Sequence, residues 1–526
     1  MNFDLPYPSK RAPVLARNLV ATSQPLAAQA GLAMLQAGGN AVDAALASAI
    51  TLTVVEPTGN GIGSDAFAIV WDGKRLHGLN ASGRSPAAWS PDRFSDVGIP
   101  QRGWESVTVP GAVSAWKALS DRFGSLEFDR LFEPAIHYAE EGFAVTPHVA
   151  FLWNLAAEKL GGFEEFRRGF LLAGRAPRAG ETFRYPDQAL TLEAIAGSGG
   201  EAFYRGELAE RIAADAERHG AALRPDDLAA HRPEWSGTIS TSYRDLHLHE
   251  IPPNGQGLAA LLALGILRHC PIEEYPIDSA DSLHLQIEAM KLAFADAHRY
   301  VADPDHLDLR PSELLADEYL QGRAALIDRR RARVPSYGVP ARSGTVYLSA
   351  ADASGMMVSF IQSNYRGFGS GIVVPGTGIS LQNRGAGFTL EEGHPNRVGG
   401  CKRPFHTIIP GFLMHGSKPL MSFGVMGGPM QPQGHLQMVL RVGINDQNPQ
   451  AAVDAPRWQV MGGADVAVEP GFERKVLDEL ASRGHRLRQA PAEESFAFGG
   501  AQLIYRLEDG YVAGSEWRKD GQAVGF

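Results

Sequence analysis

Residues 344–362 read GTVYLSAADASGMMVSFIQ. Two β-rich runs, 345–351 and 356–362, flank Asp352-Ala353-Ser354-Gly355, and a turn-forming tetrapeptide between two such runs specifies an antiparallel hairpin. Immediately before it, 321–343 is polar and arginine-rich (Arg329, Arg330, Arg331, Arg333) and runs into Pro335, Gly338, Pro340 and Ser343. That is the composition of a solvated linker, and a place where a chain can be cut. Toward the N-terminus, Leu26, Leu32 and Leu35 mark a helix stopped by Gly38-Gly39. Asn40, with Asp43 three residues on, opens an alanine-rich second helix that Glu56-Pro57 ends. Runs 66–71 and 75–80 form a hairpin around Asp72-Gly73-Lys74, 125–230 is helical and charged, and 283–300 has the spacing of an amphipathic helix. Beyond the quoted stretch come strand and turn signals to 380, a Gly/Pro-rich segment 385–411, a short strand 421–424, a helix 473–484, and strands at 501–506 and 511–514. Hairpins without a βαβ rhythm predict an α+β fold with antiparallel sheet.

Length and composition narrow the function. A chain of 526 residues suggests three to four units or one large layered core, and 44% hydrophobic with 21% charged residues excludes global disorder. The net charge of −10 is spread thinly, with no basic face, so nucleic acid is not an expected partner. Two cysteines, Cys270 and Cys401, cannot build a disulfide framework. With no apolar signal region at the start and no run of 18 uncharged apolar residues, a soluble cytoplasmic protein without a membrane partner is expected. Gly59, Gly61 and Gly63 follow a helix rather than a strand, so the dinucleotide fingerprint is not met.

Common catalytic patterns are missing. The histidines include no HExxH pair, and no GxSxG elbow occurs. What remains is Gly344-Thr345, at the junction of linker and strand. A threonine hydroxyl needs a base, and cleavage before Thr345 would free an α-amine of pKa about 7.7–8.0 on the same residue. Gly344 would leave its carbonyl open to attack by that hydroxyl. Gly-Thr before a strand is also common without any function.

The chain resembles the γ-glutamyltransferase family of N-terminal-nucleophile hydrolases over nearly its whole length. The resemblance lies in GGNAVDAALASAITLTVVEPTGNGIGSDAF (38–67), VPGAVSAW (109–116), AMKLAFADAHRYVADP (289–304), GTVYLSAADASG (344–355), GFGSGIVVPGTGISLQNRGAGF (367–388), KRPFHTIIP (402–410) and VMGGPMQPQGH (425–435). It implies a four-layer αββα sandwich formed by one precursor that cuts itself into a large piece, 1–344, and a small piece, 345–526, which stay together. A dimer of such heterodimers is left open. The resemblance makes Thr345 the nucleophile, Ser363 the second hydroxyl (in place of the usual threonine), Ser349 a supporting serine, and Gly427 and Gly428 the oxyanion-hole donors. No metal and no cofactor is implied.

The substrate side departs from the family pattern. Gly387 stands where an aspartate holds the glutamyl amine, Ser82 where an arginine holds the carboxylate, Tyr365 where an asparagine is usual, and His406-Thr407 where two serines are usual. These changes resemble the branch containing oxamate amidohydrolase and the cephalosporin-acylase-like members. The expected substrate is a small carboxylated amide such as oxamate, its carboxylate taken by Arg84 with help from His406 or Arg384. Glutathione-like γ-glutamyl amides and glutaryl β-lactams are the alternatives, and an uncut binding protein is the non-enzymatic one.

Overall fold

The computed structural model describes residues 10–334 and 345–526. Val346–Ala351 and Met357–Ser363 form the expected hairpin, paired Val346 to Gln362 through Ala351 to Met357. Both strands are buried along their entire length, which requires cover on both faces. The two faces divide by parity. Tyr347, Ala351, Met357 and Ile361 enter one apolar core, whereas Val346, Leu348, Ala350, Val358 and Phe360 enter another.

The hairpin lies at the centre of a seven-stranded sheet. Leu19–Thr22 flanks it on one side and Asp65–Trp71 on the other, so segments from both sides of residue 345 alternate in one hydrogen-bonded array. The helices Pro25–Gln36, Ala41–Val55 and Ala112–Phe123 pack on its outer face through the core that takes Val346 and Leu348. A second seven-stranded sheet includes Gly411–His415, Lys418–Val425 and Ala501–Leu507. Phe412, Met414 and Ile504 face the first sheet, while Leu413, Phe423 and Leu503 face the helices Gly257–Leu267 and Ala280–Tyr300. The order helix, sheet, sheet, helix is the expected four-layer αββα sandwich of α+β class.

Local signals placed several elements. Asn40 and Asp43 form a reciprocal capping box at the start of Ala41–Val55, and 283–300 lies inside Ala280–Tyr300. The linker expected from 321 begins later. Asp317–Ala324 is helical because Leu320 buries against Gly265 of a core helix, and the Ala332 amide donates to the Arg483 carbonyl at 2.7 Å. Residues 335–343 of that linker, and Gly344 after it, lie outside the described residues.

Candidate active site

Strand register sets the centre of the site. Extending the Val346–Gln362 pairing by one residue brings Thr345 opposite Ser363, and Ser363 in turn pairs with Asp65 on the neighbouring strand. By the two-residue period of strands, all three point into the space between the sheets, on the same side as Tyr347 and Phe67. Thr345 Oγ1 is 3.3 Å from Ser363 Oγ, and that oxygen also accepts the Tyr365 N–H at 2.8 Å. Gln431 Nε2 lies 3.4 Å from Thr345 Oγ1, while Gln431 Oε1 accepts the Ile409 N–H at 2.9 Å and so fixes the amide's orientation. Gln431 had no role in the sequence reading, although it sits in the segment carrying the paired glycines. Gly59 explains a further contact. A Cβ there would come within 3.0 Å of Val346 and 3.3 Å of the Thr345 backbone, so glycine permits the turn to lie against the first residue of the strand.

Gly427 and Gly428 end the strand Lys418–Val425 and lead into the helix Met430–Met438 with φ of +118° and +59°, a backbone region that favours glycine. Gln256 Nε2 donates to the Gly428 carbonyl at 2.8 Å and to the Thr407 carbonyl at 2.5 Å, fixing the direction of the turn. Neither glycine N–H donates to an acceptor among the described residues. Two adjacent backbone donors beside a hydroxyl can hold the negative oxygen of a tetrahedral intermediate.

Thr345 and Gly427 line a cavity of about 370 Å³. Its apolar wall includes Leu152, Leu155, Met426 and Phe496, and its polar wall includes Arg102, Lys159, Arg366 and Lys519, with no carboxylate among the described residues that line it. Arg102 donates to the carbonyls of Arg366, Gly367 and Gly369, and burial lowers its pKa to about 10. Phe496 belongs to the turn Ala492–Phe498, and the Phe498 carbonyl is held by Arg457, itself buried in an ion pair with Glu516 at 2.7 Å.

The substrate-side residues form a second, buried group. Arg384 is 1% exposed and donates from Nη1 to Thr407 Oγ1 at 2.8 Å, with its guanidinium 4.8 Å from the Tyr365 ring centroid. Its Nε and Nη2 have no hydrogen-bond partner among the described residues. His406 Nε2 is 3.1 Å from Asp65 Oδ2, both fully buried. Burial pushes the Asp65 carboxyl up to about 7, against the pull of Arg384 and the Gly83 and Gly111 amides, and holds His406 well below the usual imidazole value. Tyr365 has φ +75°, which turns the chain away from Ser363.

Arg84 is not brought to this group. Its guanidinium pairs with Asp303 at 2.9 Å and Glu234 at 3.4 Å, and it lines a separate cavity with His231 and Arg403. Ser82 bonds to Asn80 at 2.7 Å, and Gly387 abuts the Phe405 carbonyl so closely that a Cβ would lie 2.6 Å from it. Ser349 Oγ meets Ser422 Oγ of the opposite sheet at 2.6 Å, two residues from Tyr347 in the body of the strand. Among the described residues His284, Glu288 and His485 are spaced as metal ligands could be, but the Lys291 ammonium lies 2.8 Å from Glu288 and 3.4 Å from His485 and supplies the positive charge there.

Comparison with known proteins agrees with this architecture. The family described as Gamma-glutamyltranspeptidase matches residues 27–526. The glutathione hydrolase-like YwrD proenzyme of Bacillus subtilis is 36% identical over 97% of this chain and 98% of its own length. The oxamate amidohydrolase proenzyme of Klebsiella pneumoniae is 35% identical over 95% of this chain and 97% of its own. A crystal structure of cephalosporin acylase from Bacillus halodurans superimposes with a TM-score of 0.96 at 49% identity, covering 100% of this chain and 99% of that one.

Proposed function

The chain belongs to the gamma-glutamyltranspeptidase family, and from that membership we propose that it is an amidohydrolase made as a precursor, cut before Thr345, acting on a small amide that carries a carboxylate. The observation on which the reading rests is the Thr345 hydroxyl beside Ser363 Oγ, on one cavity with Gly427, the first of two adjacent glycines whose N–H groups have no acceptor among the described residues.

Maturation begins when Thr345 Oγ1 attacks the Gly344 carbonyl. The peptide C–N bond breaks, an ester to the threonine oxygen forms, and the proton from the hydroxyl ends on the released amine. Water then hydrolyses the ester to give a carboxylate at 344 and a free Thr345 α-amine. In turnover the same hydroxyl attacks the substrate amide and its proton passes to the α-amine. Gly427 and Gly428 N–H groups bind the oxyanion. The C–N bond then breaks as the α-ammonium returns the proton to the departing nitrogen, and water releases the acid from the threonyl ester. Ser363 and Gln431 orient the attacking oxygen.

Oxamate, or a similar short carboxylated amide, is the leading substrate. Arg384 is the residue suited to its carboxylate. A buried guanidinium with Nε and Nη2 unengaged presents a planar two-donor fork, while the Arg84 guanidinium is committed to Asp303 and Glu234. Gly387 supplies no charge for an α-amine, which disfavours γ-glutamyl amides. An acylase acting on larger amides is the second reading, favoured by the apolar wall of Leu152, Leu155 and Phe496.

Intact-mass measurement of the purified protein tests maturation, and ammonia release from oxamate measured beside nitroaniline release from γ-glutamyl-para-nitroanilide tests the substrate. Two chains, the second starting at Thr345, with ammonia from oxamate are expected. Thr345→Ala should remain one chain and be inactive. A wild-type protein that never splits, or a Thr345→Ala variant that still does, overturns the assignment.

A further inference from the structure

Four buried side chains away from the Thr345 cavity make one hydrogen-bonded chain that the reaction does not use. His284, Glu288 and Lys291 project from the helix Ala280–Tyr300, and His485 follows the helix Arg474–Ser482; each is at most 3% exposed. An ammonium can only donate, and Lys291 Nζ spends its three donors on Glu288 Oε1 at 2.8 Å, the Arg333 carbonyl at 3.3 Å and His485 Nδ1 at 3.4 Å. His485 Nδ1 is therefore an acceptor, so the ring carries its proton on Nε2, which donates to His284 Nδ1 at 2.8 Å. By the same step His284 carries its proton on Nε2 and donates to the Asp328 carbonyl at 2.8 Å. Glu288 Oε2 completes the set by accepting the Arg333 N–H at 3.0 Å. Both imidazoles are thus neutral and in one tautomer, in keeping with burial, which holds both below the usual imidazole value.

Both ends of this chain land on the backbone of one arm, 328–333, which also gives the Ala332 N–H to the Arg483 carbonyl at 2.7 Å. The arm lies before residue 345 in the sequence, whereas Arg483 and His485 lie after it. Only the ten residues 335–344 separate Val334 from Thr345. With the arm released, the nearest helix before Thr345 would be Asp317–Ala324, and the intervening run would grow to the twenty residues 325–344. A doubled length lowers the chance that its end meets a fixed group about threefold. We propose that His284, Glu288, Lys291 and His485 are positioning residues for maturation: they clamp the arm to both pieces, shorten the run that must bring the Gly344 carbonyl to Thr345 Oγ1, and keep the arm docked once the bond is cut. This rests on the self-cleavage reading above and adds to it the anchor upstream of the cut.

Amide hydrogen exchange read by mass spectrometry on the full protein tests the clamp, and the time course of chain splitting tests its effect. Amides of 328–334 should exchange slowly in the single-chain Thr345→Ala protein and in the mature protein alike. In Lys291→Met and in His485→Leu the same amides should exchange about a hundredfold faster, while those of Ala280–Tyr300 stay protected. Splitting of freshly made precursor should slow about threefold in both variants. Turnover by molecules already cut should not change, since none of the four residues lines the Thr345 cavity. His485→Gln, which can still accept from Lys291 and donate to His284, should keep slow exchange and normal splitting. Lys291→Met leaves Glu288 without its cation, so if that variant fails to fold the neutral-for-neutral His485→Leu decides. If the wild-type chain is never cut, the self-cleavage reading fails while amide exchange still decides whether the arm is clamped. Exchange unaltered in the folded variants, or splitting that is no slower where the arm is free, overturns the proposal.

Discussion

A threonine oxygen proposed to attack an amide carbonyl needs neighbours that fix its direction while leaving one lone pair for the attack. Gln431 meets that need from one side, since its Nε2 faces Thr345 Oγ1 while its Oε1 is tied to the Ile409 N–H. Gln431→Leu removes the donor and leaves the Ile409 amide unpaired; kcat on oxamate should fall by about tenfold to a hundredfold with a smaller change in KM. An unchanged kcat would show that Gln431 only fills space. Arg384 calls for a different pair of variants. Arg384→Lys keeps the charge but loses the fork, so if Nε and Nη2 clamp the acyl carboxylate, KM for oxamate should rise by about tenfold or more in both Arg384→Lys and Arg384→Gln. Rescue by lysine would mean that charge alone matters. The family resemblance is what singles out Thr345, Ser363 and the paired glycines in the sequence. The sequence puts Arg84 ahead of Arg384, because what distinguishes them lies in partners that are remote in the chain: Asp303 and Glu234 for one, Thr407 for the other.

At the scale of elements, the short glycine turn after the helix Ala41–Val55 supports the strand that begins the site. Gly59→Ala would set a methyl 3.0 Å from Val346 Cγ1 and 3.3 Å from the Thr345 backbone. The expected cost is about 1–3 kcal/mol of stability, with a disproportionate slowing of cleavage before Thr345 because the strand's first residue is the part displaced. Chemical denaturation alongside a time course of chain splitting checks this; slowed splitting without any loss of stability, or the reverse, would separate the two roles. Elements with local signals were readable: the capping box of Asn40 and Asp43, and the turn between Val346–Ala351 and Met357–Ser363. Gly257–Leu267 was not, because every residue in it is buried and an all-apolar helix has no face-to-face contrast to read. The strands Ile239–Tyr243 and Leu246–Glu250 were missed for another reason. Only Leu246–Glu250 pairs with Gly411–His415, far along the chain, while Ile239–Tyr243 is the sheet's edge, and the half-buried His247 and His249 do not read as positions of a strand paired on both sides.

Across the whole molecule, the alternation of segments from before and after residue 345 in one sheet means that a cut there need not separate the pieces, and it also encloses charged groups between the sheets. Asp65 is the clearest case: fully buried at the end of its strand, its carboxyl is pushed up to about 7 by burial from an ordinary 3.8. Unfolded, that group loses its proton near pH 4; folded, it keeps it to about 7. Between those values the folded protein binds the extra proton, so this group lowers the unfolding free energy as pH rises, by up to about 1.4 kcal/mol per pH unit, and has no further effect above about 7. Histidines held below their usual value, among them His406 and His231, act in the opposite direction over part of the window, because there the unfolded chain takes the proton. The total slope therefore mixes opposing groups, and the informative quantity is a difference. In the single-chain Thr345→Ala background, Asp65→Asn keeps an acceptor for the Gly83 and Gly111 amides and removes the titration. Its stability relative to the parent should improve steadily from about pH 4 to about pH 7 and then level off, as read from urea denaturation at several pH values. A difference that stays flat through that window would mean that Asp65 is ionised in the folded protein, stabilised by Arg384 and Arg403 more strongly than burial opposes it.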